Sequence, residues 1–208
     1  MDNANAPFLI FLRIFVAETS KTMKTDIILC GVGGQGILSI ATIIGEAAMH
    51  ENLYIKQAEV HGMSQRGGDV QSNLRISSEP IHSDLIALGS ADVIISMEPM
   101  EALRYLPYLK KDGWIITSSV PFVNITNYPE QEKLDEQLAK LPNVVSIDID
   151  TIAKQLGAPR SANMVLLGAA QKALGIEMSK LEDAVRRVFA KKGDAVVEAN
   201  IKALNSNS

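Results

Sequence analysis

The chain has 208 residues, of which 47% are hydrophobic and 5% aromatic: enough for a buried core of Ala, Ile, Leu and Val, and too apolar for a disordered chain. A net charge of −4 and a pI near 5.4 leave no basic field to attract nucleic acid or an anionic membrane surface. No run reaches the ~18–20 apolar residues of a membrane span. The single cysteine, Cys30, excludes an intrachain disulfide framework and any iron–sulfur cluster held by this chain alone.

The head of the chain, "MDNANAPFLIFLRIFVAETSKTM", carries an apolar stretch over 7–16 that is interrupted by Arg13 and has no basic region before it. It makes a poor signal peptide. "MKTDIILCG" from Met23 reads like a start that leads straight into a strand. Residues 1–22 are therefore expected to lie outside the core fold, flexible or docked on a neighbour, with 23–208 as one domain.

Beyond the head, strand and helix patterns alternate. Residues 26–31 form a short apolar strand, and 35–50 a helix with Ile37, Leu38, Ala41, Ile44 and Ala48 at roughly helical spacing. A strand is expected at 53–60, followed by the polar, glycine-bearing "HGMSQRGGD" and by "VQSNLRIS", whose alternation suits a half-exposed strand. "DVIISMEP" and "GWIITSS" read as buried strands on either side of a helix over 99–109, with Pro99 at its start and Gly113 beyond its end. "VVSIDI" gives another strand. The remainder is helical: one helix from Asp150 or Thr151 to near Gly157, one over 163–174 ending at Gly175, one capped by Ser179 and running to Ala190, and one over 194–204. This order predicts an α/β fold in three layers, α/β/α, around an open, mostly parallel but mixed sheet with a Rossmann-like start and a helical C-terminal part.

Two segments carry chemistry. "CGVGGQG" follows the apolar run 27–29, and Gly31, Gly33 and Gly36 fit G-x-G-x-x-G between a strand and a helix. In a dinucleotide reading Gly31 permits the turn, Gly33 lets backbone approach phosphate, Gly36 lets the helix pack close to the strand, and Glu59 is the acid for the ribose. A glycine turn that binds nothing fits the same letters. The second segment, "EVHGMSQRGGDVQSNLRIS", sets His61, Gln65 and Arg66 beside paired glycines. Directed donors with backbone freedom suit a recognition loop better than a core, although His61 as a structural hydrogen bonder and Arg66 in a surface ion pair are the plainer readings. Cys30 at the end of an apolar strand reads as a buried, inert thiol. "RRVFAKK" (186–192) is a solvated helix face that could also attract an acidic partner or a phosphate, and His50 and His82 have no metal-ligand spacing. No metal site is expected.

"GVGGQG", "EVHGMSQRGGDVQSNLRI" and "SANMVLLGA" occur in the order and spacing of the gamma subunit or gamma domain of the 2-oxoacid:ferredoxin oxidoreductases, which the chain resembles from about residue 25 to 200. The H-G-M-S-Q-R-G-G form resembles the indolepyruvate branch most closely. The resemblance implies an enzyme subunit, active only with a larger partner chain that carries thiamine diphosphate and [4Fe-4S] clusters. The complex would decarboxylate a 2-oxo acid such as indolepyruvate, transfer the acyl group to coenzyme A and reduce ferredoxin. This chain would bind no cofactor alone, live in the cytoplasm of an anaerobic metabolism, and leave on its partner surface room for a homodimer when isolated. His61, Gln65 and Arg66 would support catalysis at the partner junction. Gly31, Gly33, Gly34, Gln35 and Gly36 would form a phosphate cradle or a close-packing turn toward coenzyme A or the partner, and Asn163 would cap its helix or reach the same junction. An NAD(P)-dependent oxidoreductase and a purely structural assembly subunit remain the alternatives.

Overall fold

The computed structural model describes residues 23–61 and 68–207. In chain order the elements are β1 (Lys24–Val32), α1 (Ile37–His50), β2 (Tyr54–His61), β3 (Asp69–Ser77), β4 (Ala91–Ser96), α2 (Pro99–Arg104), β5 (Leu109–Ser118), α3 (Gln131–Ala139), β6 (Val144–Ile147), α4 (Ile149–Gln155), α5 (Ala162–Leu174), α6 (Met178–Phe189) and α7 (Asp194–Leu204). They build one six-stranded sheet in the order β2-β3-β1-β4-β5-β6. β1, β4, β5 and β6 run parallel, and β3 pairs antiparallel with both β1 and β2. The mixed, largely parallel sheet covered on both faces is as the sequence predicts.

The continuous apolar run of β1 follows from its central place, because a strand alternates its side chains between faces and here both faces are covered. Ile27 and Leu29 enter the larger core, with residues of α1, α5, α6 and α7. Ile28 and Cys30 enter a smaller one, with Ala102 and Tyr105 at α2 and Leu138 of α3. β3 buries Val70, Leu74 and Ile76 against the larger core and turns polar residues to its other face. One of these, Arg75, stands opposite Asp26 of β1 and donates to both carboxylate oxygens, at 2.7 and 3.0 Å. Asp26 is 1% exposed, so this two-point contact is what permits a carboxylate inside the sheet. The remaining guanidinium nitrogen donates to the carbonyls of Ser83 and Leu85, both at 3.1 Å, and ties down the segment between β3 and β4.

Three local expectations are corrected. The helix expected over 99–109 stops at Arg104, and a 3-10 turn, Leu106–Tyr108, leads into β5. Pro107 is the reason: it lacks an N–H and disfavours a helical residue before it. Ser179 does not cap α6, which begins one residue earlier behind Glu177. The helix α3, with only Leu134 and Leu138 buried, has no counterpart among the sequence-based expectations.

Candidate active-site cleft

In open α/β sheets, ligands bind outside the carboxyl ends of the parallel strands, where the connections diverge. Here that edge holds a cleft of ≈ 1020 Å³. One wall is the glycine turn and the start of α1, with Gly34, Gln35, Gly36 and Ser39. Met97 after β4 and Val120 to Phe122 after β5 form the next. Arg160 to Asn163, leading into α5, and Phe189, Lys192 and Asn200 complete it.

The glycine turn is largely filled by its own glutamine. Gln35 folds back so that its Oε1 accepts from the N–H of Val32 at 2.7 Å, while its Nε2 donates to the carbonyl of Met97 at 3.4 Å. This side chain bridges the ends of β1 and β4. A Cβ on Gly31 would stand 2.8 Å from Gln35 Oε1 and 2.8 Å from Ile37 Cδ1, so glycine is needed there to house the bridge. The N–H of Gly33 donates to the carbonyl of Gly68 at 2.9 Å and is thereby spent on the chain. Gly36 takes the left-handed conformation, φ 85°, as the residue before α1. A Cβ on it would meet the Nδ2 of Asn163 at 2.7 Å.

These contacts revise the dinucleotide reading. Gly36 makes room for Asn163 rather than for helix-to-strand packing, and Gly33 has no N–H to offer a phosphate. Glu59 lies on β2, and β3 stands between β2 and β1, which puts the acid roughly 10 Å of strand spacing away from the glycine turn. Asn163 is also not the cap expected of it. The residue before α5 is Ser161, and Asn163 instead donates from Nδ2 to the carbonyl of Gly36 at 3.1 Å. That bond joins the start of α5 to the start of α1 across 127 residues of sequence.

The cleft wall thus brings together four expected site residues, Gly34, Gln35, Gly36 and Asn163; Gly31 and Gly33 stand behind it as support. His61 ends β2, its backbone paired with Val70, while Gln65 and Arg66 lie outside the described residues. The flanks of their segment, His61 and Gly68, are at this same edge of the sheet, the latter bonded to Gly33.

The electrostatics favour an anion with an apolar arm. No side chain caps α1; the N–H of Ser39 is taken by the carbonyl of Gly36 at 3.1 Å, and the N–H groups ahead of it present partial positive charge at the cleft. Arg160 and Lys192 stand on the rim with one carboxylate, Asp150. Among the described residues neither cation has an ion-pair partner; Lys192 lies over the ring of Phe189, 4.9 Å from its centroid. In the same "RRVFAKK" segment, Arg186 and Arg187 are taken by Glu198 and Glu46 at 2.9 and 2.7 Å. The sequence places Lys192 on a solvated face that could also attract an acidic partner or a phosphate, and does not single out Arg160, Phe122 or Glu98. Only the basic character of Lys192 and Arg160 was visible there; their convergence is tertiary.

Cys30 is fully buried and its Sγ faces the carbonyl of Glu101 at 3.7 Å. Burial pushes its thiol far above the usual range, and Glu101 and Glu98 add to this. It is no nucleophile. Among the described residues no group of three or more His, Cys, Asp or Glu could hold a metal ion.

Residues 26–206 match the model of the pyruvate ferredoxin/flavodoxin oxidoreductase family. The chain belongs to that family. It is 35% identical over 188 residues to indolepyruvate oxidoreductase subunit IorB of Methanothermobacter thermautotrophicus, covering 87% of this chain and 94% of that one. The common gamma subunit of the pyruvate/ketoisovalerate oxidoreductases of Pyrococcus furiosus is 29% identical over 164 residues, covering 77% and 84%. The fold matches the 2-oxoglutarate:ferredoxin oxidoreductase of Magnetococcus marinus, solved with 2-oxoglutarate, coenzyme A and succinyl-CoA bound, with a TM-score of 0.69 at 23% identity. That match covers 88% of this chain and 30% of the longer one.

Proposed function

We propose that this chain is the cluster-free subunit of a thiamine-diphosphate-dependent 2-oxoacid:ferredoxin oxidoreductase acting on indolepyruvate or a similar aryl pyruvate. The observation that carries this reading is the near full-length similarity to indolepyruvate oxidoreductase subunits, at 34 to 36% identity, against 28 to 30% for the pyruvate/ketoisovalerate gamma subunits. A larger partner holds thiamine diphosphate, which supplies the decarboxylation chemistry, and the [4Fe-4S] clusters that pass electrons to ferredoxin. Coenzyme A takes the acyl group. The complex is cytoplasmic and oxygen-sensitive.

This chain's own residues do the binding and enclosing. The start of α1 behind Gly36, with Arg160 and Lys192, suits the phosphates of coenzyme A; Met97, Val120 and Phe122 suit its apolar arm and keep water out. Asn163 fixes the relation between the two helix starts. His61, Gln65 and Arg66, in a segment anchored at the same sheet edge, face the partner, where Arg66 holds a carboxylate or phosphate.

The test is anaerobic reconstitution with the larger subunit, following reduction of ferredoxin that depends on 2-oxo acid and coenzyme A. Activity that requires both chains, prefers indolepyruvate to pyruvate, and falls on Arg66→Ala while the complex still assembles is the expected result. Assembly without any change in turnover on Arg66→Ala would reduce the segment to a structural role, and absence of activity with both chains would overturn the reading.

A further inference from the structure

The carboxylate of Glu98 is 1% exposed and forms no ion pair with a cation among the described residues. Three donors converge on it instead. Its Oε2 accepts from the N–H of Glu101 at 2.9 Å, which caps α2. Its Oε1 accepts from the N–H of Phe122 at 3.3 Å and from the hydroxyl of Tyr128. The last two donors belong to the connection between β5 and α3, a stretch that has no helix or strand over residues 119–130. At its two ends this connection is held by the N–H of Ser119 on the carbonyl of Ile147, at 2.8 Å, and by Gln131 Nε2 on the carbonyl of Ser119, at 3.2 Å. Glu98 holds its middle.

The position of Glu98 gives this hold its reach. The preceding residue, Met97, receives Gln35 Nε2 on its carbonyl and donates its N–H to the carbonyl of Cys30 at 3.0 Å. A single pair of residues thus joins the glycine turn on one side of the cleft to Val120 to Phe122 on the other. A carboxyl group held out of water requires hydrogen bonds of this kind. Tyr128 is suited to give one, because burial and then the bond to Glu98 push its phenol well above the usual range and keep it protonated.

We infer that Glu98 is a positioning residue that sets the connection 119–130 as the second wall of the cleft, with Tyr128 and the Phe122 amide as the groups it holds. It touches no reacting atom. Its effect is to fix where the exposed side chains of Val120 and Phe122 meet the ligand, at a set distance from the glycine turn. The inference deepens the functional reading above and rests on it for the identity of the ligand, although not for the hold itself.

The experiment compares the full-length chain with Tyr128→Phe and Glu98→Gln, first by hydrogen exchange and then in the reconstituted complex. Loss of the Tyr128 hydroxyl from this hold predicts exchange of the Phe122 amide about tenfold faster in Tyr128→Phe, with a melting temperature lower by only about 2–4 °C. Glu98→Gln keeps one acceptor for the two loop donors but loses the acceptor for the Glu101 amide, so its Phe122 amide exchanges more slowly than that of Tyr128→Phe while the Glu101 amide exchanges faster than in wild type. In the complex, Tyr128→Phe raises the KM for coenzyme A about tenfold with kcat near wild type. Unchanged exchange at Phe122 overturns the hold, whatever the complex does. Faster exchange with no change in KM overturns the positioning role. If the wild-type complex itself lacks activity, the functional reading fails and the exchange result still decides whether Glu98 holds the wall.

Discussion

Asp26 and Glu98, each 1% exposed at opposite ends of the parallel strands, are satisfied in opposite ways. At the amino-terminal end, Asp26 is matched by the guanidinium of Arg75 and Asp92 by Lys110 at 2.5 Å; Asp92 Oδ2 also accepts from the backbone N–H of Asp26 at 2.7 Å. Carboxylates meet cations and the edge is closed. At the carboxyl-terminal end, Glu98 is held by neutral donors from the first turn of α2 and from the connection 119–130, while Arg160 and Lys192 look into an open cleft. Arg104 is taken by Glu101 at 2.9 Å, which leaves Arg160 and Lys192 as the cations available at the cleft. The first end serves stability; on the function proposed above, the second serves binding.

Breaking the closed end gives the largest expected effect on stability. Arg75→Met leaves the Asp26 carboxylate only the exposed ammonium of Lys24, 3.3 Å away, and costs about 3 kcal/mol, a fall in Tm of roughly 10 °C read by thermal denaturation. The double variant Asp26→Asn with Arg75→Met recovers most of that loss, because no uncompensated charge remains. Neither change alters the KM for coenzyme A in the complex that still assembles.

At the open end the same kind of insult acts more on function than on folding. Gly36→Ala places a Cβ against Asn163 in a left-handed conformation, at a cost of about 1–3 kcal/mol. Its main consequence is displacement of Asn163 from the carbonyl of Gly36, read as a loss of coenzyme A dependent turnover larger than the loss of stability. Equal losses in the two would place this contact with the closed end.

A smaller effect separates Glu101 from its neighbours. Burial raises its carboxyl above the ordinary value of 4.5, a shift that Arg104 only partly opposes, with Arg104 Nε 2.9 Å away. The folded state therefore keeps the proton to higher pH than the unfolded chain does, and the contribution of this group to stability falls as pH rises from about 4.5 through the raised value. Glu101→Gln removes that slope in denaturant titrations over the same window. A wild-type curve parallel to that of Glu101→Gln would deny the burial effect. Smallest of all, the Cys30 thiol is not alkylated in the native chain at neutral pH and reacts fully once unfolded.

The closed layers were largely legible in the sequence, because strands buried on both faces must be continuously apolar, as in 27–29 and "DVIIS", and α1 and α7 carry helical spacing with little interruption. α3 was not, since two leucines four residues apart carry too little periodicity and the preceding loop gives no strong stop signal. At the cleft, "GVGGQG" announced a strand-turn-helix but not that Gln35 would fill the turn or that a hairpin strand would separate Glu59 from it. The partners of Glu98 lie 24 and 30 residues away, and Asn163 reaches across 127. Such pairings depend on which loops the topology brings to one edge, and no local pattern records them.

The most direct test of the open end is the double variant Arg160→Ala with Lys192→Ala in the reconstituted complex, measured as the KM for coenzyme A. Both cations are at the exposed rim, so stability and assembly are expected to stay as in wild type, while the KM rises at least about tenfold, the effect of one or two charge-assisted contacts, with kcat little changed. A KM equal to that of wild type would show that the cleft is not where this chain meets the acyl acceptor.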